Sequence, residues 1–121
     1  MWSTRRVPVT QLAGRSARID VSIDGIRFSR SDSDAARRGT EHVTDVDWDH
    51  VTGATVQSSR KGRPVIRVAV SGWADVADHR HDPHAVTLRR DQAAAAATLV
   101  EGINAEVEVR NRWREQSQSS G

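Results

Sequence analysis

The stretch Ile19-Asp-Val-Ser-Ile-Asp-Gly-Ile-Arg-Phe28 alternates apolar and polar side chains on either side of Asp24-Gly25, a dipeptide that favours a two-residue hairpin turn. A period of two puts every second side chain on one face of a strand, so each arm has one apolar face. Closing the turn at Asp24-Gly25 sets Ile23 opposite Ile26 and Val21 opposite Phe28, leaving Asp20, Ser22, Arg27 and Ser29 on the wet face. The segment Ala17 to Arg30 is therefore expected to form one wall of a β core.

Working outward, Val7, Val9 and Leu12 alternate weakly before Gly14, as a short edge segment would, while Met1 to Arg6 is polar and loose. Ser31 to Glu41 has no apolar side chain larger than alanine and reads as a mobile loop. Apolar residues resume at Val43, Val46, Trp48 and Val51, and Val51 to Ser58 reads as a strand that Gly53 can bend or bulge. Its turn is Arg60-Lys61-Gly62-Arg63-Pro64. The return strand, Val65 to Trp73, places Ile66, Val68 and Val70 on one face and Val65, Arg67 and Ala69 on the other. After a polar connection from Ala74 to Pro83, His84 to Arg89 forms a last strand carrying Val86 and Leu88.

Beyond Arg90 the spacing becomes helical, with Ala96, Leu99, Val100, Ile103 and Val107 recurring at steps of three and four within an alanine-rich run. Gly102 weakens this helix, which ends near Asn104 or continues to Arg114 with Trp113 as a terminal anchor; residues 115–121 read as a disordered tail.

At 121 residues the chain suits one domain with a single core, here residues 17–114 after a loose segment 1–16. The absence of cysteine excludes disulfides and thiolate metal sites. No apolar run approaches the roughly 20 residues of a membrane span, and Met1 to Gly14 lacks a signal peptide's apolar stretch, so a soluble, cytoplasmic protein is expected. The net charge is only +2 although the pI is near 10.3, because Lys61 is the one lysine among many arginines. Arginine and alanine richness fits a GC-rich bacterial genome, and the interleaved acidic residues disfavour nucleic acid as a partner.

About six to seven short antiparallel strands followed by one C-terminal amphipathic helix define a mainly β (α+β) barrel or sandwich. The Asp24-Gly25-Ile26 step, the Val46-Asp-Trp-Asp-His-Val51 segment and Asp82-Pro-His-Ala-Val-Thr-Leu88 before the helix together resemble bacterial pleckstrin-homology-like (PH-like) domains, particularly small ones of actinobacterial type whose roles are uncharacterised. The resemblance spans most of Ala17 to Ile103. It implies an open antiparallel barrel with the helix plugging one end, and a scaffold that hosts headgroup, phosphopeptide or proline-rich peptide binding, or plain oligomerisation. Inositide binders of that superfamily carry basic residues around the first hairpin loop, whereas Asp24-Gly25 is acidic, so no binding residue is carried over.

Three constellations are candidate sites. Arg60, Lys61 and Arg63 form the densest positive cluster, where arginine forks on a hairpin tip can hold a phosphate; as a plain solvated turn they would discourage edge pairing instead. His79, His81 and His84 have a spacing that can reach one metal ion, but Arg80 between them opposes a dication, which favours exposed histidines that do not converge. Trp73, after Gly72 at a strand end, is a half-exposed anchor for a partner, whereas Trp48 and Trp113 are expected to pack as core or end cap. No catalytic residue and no cofactor is assigned. The leading expectation is a non-enzymatic interaction module that binds a protein segment or itself along an open strand edge flanked by Val51–Val56 and Val65–Val70. The alternative is an anionic ligand, a membrane headgroup or nucleic acid, at Arg60 to Arg63, and behind it a metal-dependent activity at the histidines.

Overall fold

The computed structural model describes residues 10–73 and 76–119. Trp2, Val7 and Val9, positions 74–75 of the polar connection and the end of the expected tail lie outside the described residues. Period-two segments give seven strands: β1 (Gln11–Ala13), β2 (Ala17–Val21), β3 (Gly25–Arg30), β4 (Val43–Asp47), β5 (Val51–Ser58), β6 (Pro64–Val70) and β7 (Ala85–Thr87). They form two antiparallel sheets, β1-β2-β3-β4 and β5-β6-β7, with no ladder closing them into a barrel among the described residues. Helix α1 (Asp32–Arg38) joins β3 to β4, and α2 (Ala93–Ser119) follows β7. No described helix is long and apolar enough to cross a membrane.

One core lies between the two sheets and α2. Ile19, Ile26 and Phe28 meet Ile66, Val68 and Val86 from the second sheet and Ala96, Leu99 and Ile103 from the helix. The expected burial of the hairpin face beneath α2 thus holds for Ile19, Ile26 and Phe28. Trp48 is buried as expected, donating its indole N–H to the Ser22 carbonyl at 2.9 Å. Val65 is also buried, so β6 is covered on both faces at its start. The Gly53 bulge occurs where the β5–β6 register shifts between Val51 and Gly53.

The hairpin register differs from expectation by two residues. Val21 pairs with Ile26 and Ile19 with Phe28, so the apolar face is kept but Ile23 leaves the ladder and is 81 % exposed. The connection is Ser22 to Gly25, closed by Ser22 N–H donating to the Gly25 carbonyl at 2.9 Å. Side chains claim two carbonyls of this connection: Trp48 donates to that of Ser22, and Arg110 to that of Ile23 at 3.2 Å. Gly25 sits at φ +152°, where a Cβ would lie 2.1 Å from the Val46 carbonyl oxygen, so only glycine lets β3 approach β4 there.

Ser31 to Glu41 is not a loop throughout. Ser31 caps α1 by accepting from the Asp34 N–H at 3.3 Å, and Gly39, at φ +63°, ends it. The segment buries charge beside the small Ala35: Asp34 and Arg38 point inward with Arg30. The sheet also starts earlier than residue 17, because β1 pairs with β2. At the other end α2 passes both expected ends and runs through Gln116 to Ser119. Among its described side chains the last buried one is Val107, and Trp113 is 61 % exposed rather than an anchor.

Candidate functional site, a basic groove

Three loops converge at one end of the fold through backbone geometry. At the β5–β6 tip, Ser59 N–H donates to the Arg63 carbonyl at 2.8 Å and Gly62 N–H to the Ser59 carbonyl at 2.9 Å; Gly62 takes φ +75° to close the turn. Leu88 N–H donates to the Pro64 carbonyl at 2.8 Å, which draws Arg89 and Arg90 alongside the tip. Arg90 Nε then donates to the Lys61 carbonyl at 2.9 Å. Gln92 accepts from Arg89 N–H at 2.7 Å and donates to the Ala13 carbonyl at 3.1 Å, bringing in the Gly14–Ser16 turn that carries Arg15.

The resulting open groove has a volume of about 1580 Å³. Arg15, Arg60, Lys61, Arg63, Arg89 and Arg90 line it, and none of the six makes an ion pair with a described residue. Asp91 lines the groove beside Arg90, and a wall of Asp34 and Arg37 from α1 with the turn at His79 completes it. That wall's carboxylates are already engaged: Asp34 binds Arg30 at 2.8 Å, Arg38 at 3.0 Å and also Arg37, while Asp78 binds Arg80 at 2.9 Å. Burial alone would raise the Asp34 carboxyl, but the hydrogen bond from Arg30 and the charge and hydrogen bond of Arg38 hold it below the usual carboxylate range. The Arg80 side-chain hydrogen bond pulls Asp78 down likewise.

This wall is fastened by guanidinium forks on backbone carbonyls. Arg38 donates to the Asp82 carbonyl at 2.8 Å and to that of His79, and Arg30 donates to that of Pro83. Arg67 holds the Asp82 carboxylate at 3.0 Å, and that carboxylate accepts His84 N–H at 2.8 Å.

The histidines occupy different settings. His81 is exposed and His79 half-buried on one turn, whereas His84, expected to be exposed, is buried with its ring 6.0 Å from Phe28 and 5.2 Å from Trp73. Burial lowers the pKa of both His79 and His84. Among the described residues no group of three or more histidine, aspartate or glutamate side chains is placed to hold a metal ion. Trp73 is 62 % exposed, with one ring edge against His84. An open strand edge flanked by Val51–Val56 and Val65–Val70 is expected from the sequence; β5 ends its sheet, and at Ala54 its edge is in use, the N–H donating to Asn104 Oδ1 at 2.8 Å and the carbonyl accepting from Asn104 Nδ2 at 3.0 Å.

The sequence places Arg60, Lys61 and Arg63 on one tip, and the structure brings Arg89 and Arg90 beside them. Arg15 was missed, since its only signal is a Gly14-Arg15 turn between two alternating segments. Comparison with protein-family models, curated proteins and solved structures finds no match for this chain.

Proposed function

We propose that this protein is a non-enzymatic binding module of PH-like architecture whose ligand is anionic and docks in the basic groove. The observation that carries this reading is the set of six cationic side chains, drawn from three loops, that line one cavity with no ion pair to a described carboxylate. Unneutralised like charges held together repel one another, and a bound anion relieves that repulsion. Five of the six are arginines, whose planar guanidinium forks match the geometry of carboxylate and phosphate oxygens. The paired four- and three-stranded sheets with a C-terminal helix support the PH-like assignment. Strand addition along β5 is the weaker reading, since Asn104 occupies that edge at Ala54.

Titration with inorganic polyphosphate tests the proposal. Affinity is expected to fall at least about tenfold between low and physiological salt, and binding to disappear in the Arg60→Ala, Lys61→Ala, Arg63→Ala triple variant. Absence of binding at low salt returns these residues to a solvated turn.

A further inference from the structure

We infer that the occupant of the groove is an extended protein segment carrying clustered oxyanions, an inference that rests on the anion-binding reading above. The groove, at about 1580 Å³, exceeds the roughly 300–1,000 Å³ of a site for one small molecule, which points to a piece of polymer rather than a lone phosphate. Its charge is predominantly positive. Six cations lie at the tip, the strand-to-helix junction and the Gly14–Ser16 turn; of the three carboxylates that line the groove, Asp34 and Asp78 are engaged by the protein's own arginines and Asp91 stands beside Arg90. A segment with a few anionic side chains and neutral neighbours matches that distribution better than a strand with a phosphate at every step.

Two other anionic partners fit less well. Single-stranded nucleic acid is held by stacking bases on aromatic rings as well as by charge, and among the described residues His79 is the one aromatic ring that lines this groove. A membrane surface is flat, and proteins that dock on one pair basic residues with apolar side chains that enter the headgroup layer. The tip Ser59–Arg63 has no apolar side chain, and its cations face a concave wall. Arginine forks suit planar carboxylates and phosphate oxygens alike, gripping each through two parallel hydrogen bonds.

The test uses the full chain and four labelled probes: an eight-residue peptide with four glutamates, the same peptide with phosphoserine in place of glutamate, its glutamine counterpart, and a twelve-nucleotide oligothymidylate. Vesicles containing phosphatidylserine form a fifth arm. Saturable one-to-one binding of the glutamate or the phosphoserine peptide is expected, distinguishing the source of the oxyanion, with no binding of the glutamine peptide. Arg15→Glu, Arg60→Glu and Arg89→Glu together should weaken it roughly a hundredfold. The same charge change away from the groove, Arg27→Glu, Arg112→Glu and Arg114→Glu, should leave it within about threefold. Amide shifts on adding peptide should cluster at residues 14–16, 59–63 and 88–92, a readout that needs no variant to fold. If the oligonucleotide or the vesicles bind at least tenfold tighter than both peptides, the inference is overturned while the anion site stands. If neither peptide binds while polyphosphate does, the inference falls alone; if neither the anionic probes nor polyphosphate bind, both fall.

Discussion

Asp34 accepts hydrogen bonds from two guanidinium groups that are almost wholly out of contact with solvent, the side chains of Arg30 and Arg38 being 0 % and 1 % exposed. Removing one member of a buried ionic set leaves the others uncompensated, so Asp34→Ala should cost about 3–5 kcal/mol, read as a lowered urea midpoint. A loss below about 1 kcal/mol would mean that water replaces the carboxylate. The depressed Asp34 pKa also sets a direction with pH. The unfolded carboxyl titrates near 3.9, above the folded one, so this contribution is complete above that value and is lost as pH falls through the folded pKa. His84 adds an earlier loss. Its folded pKa lies below the unfolded value of about 6.5, so unfolding takes up a proton and stability declines as pH drops from there towards the folded value. His84→Gln should flatten the stability profile just below pH 6.5, measured by chemical denaturation at stepped pH; an unchanged slope would assign it to another group.

Among the elements, α2 does more than cover the core. Asn104 puts an amide against the outward-facing N–H and C=O of Ala54, matching a donor to an acceptor and an acceptor to a donor on the β5 edge. Asn104→Ala should cost about 1–2 kcal/mol and speed exchange of the Ala54 amide proton; exchange at the wild-type rate would show that solvent never needed the edge covered. The two longest readable patterns, period two in β2, β3 and β6 and steps of three and four in α2, were legible because burial there is apolar. Helix α1 was not. Hydrophobic periodicity is silent about Asp34 and Arg38, whose burial depends on Arg30 and on carbonyls more than 40 residues away in sequence. Local signals for α1 were present in Ser31 and Gly39, a cap and a left-handed stop. The hairpin register failed for a related reason, since the atoms that claim the Ser22 and Ile23 carbonyls belong to Trp48 and Arg110.

For the molecule as a whole, a net charge of +2 hides a local imbalance: Asp20, Asp45, Asp49 and Asp82 pair with arginines elsewhere, Asp34 and Asp78 at the groove are engaged by arginines too, and six cations lining it make no ion pair with a described residue. The tip's share of that cluster was readable as a run; the rest depended on how β1, β7 and the start of α2 are tied together, which no local pattern encodes. Holding like charges in one cavity opposes folding of the empty protein, a cost of the kind that binding sites carry and ligands relieve. Arg15→Gln, Arg60→Gln and Arg89→Gln together should therefore stabilise the ligand-free chain by up to about 1 kcal/mol at low ionic strength. That gain should vanish near 1 M salt, where the screening length drops to about 3 Å. Thermal melts of wild type and variant across a salt series decide it. Equal stability at low salt would mean that the six side chains splay into solvent too far apart to feel one another, and the groove would lose the feature that recommends it as an anion site.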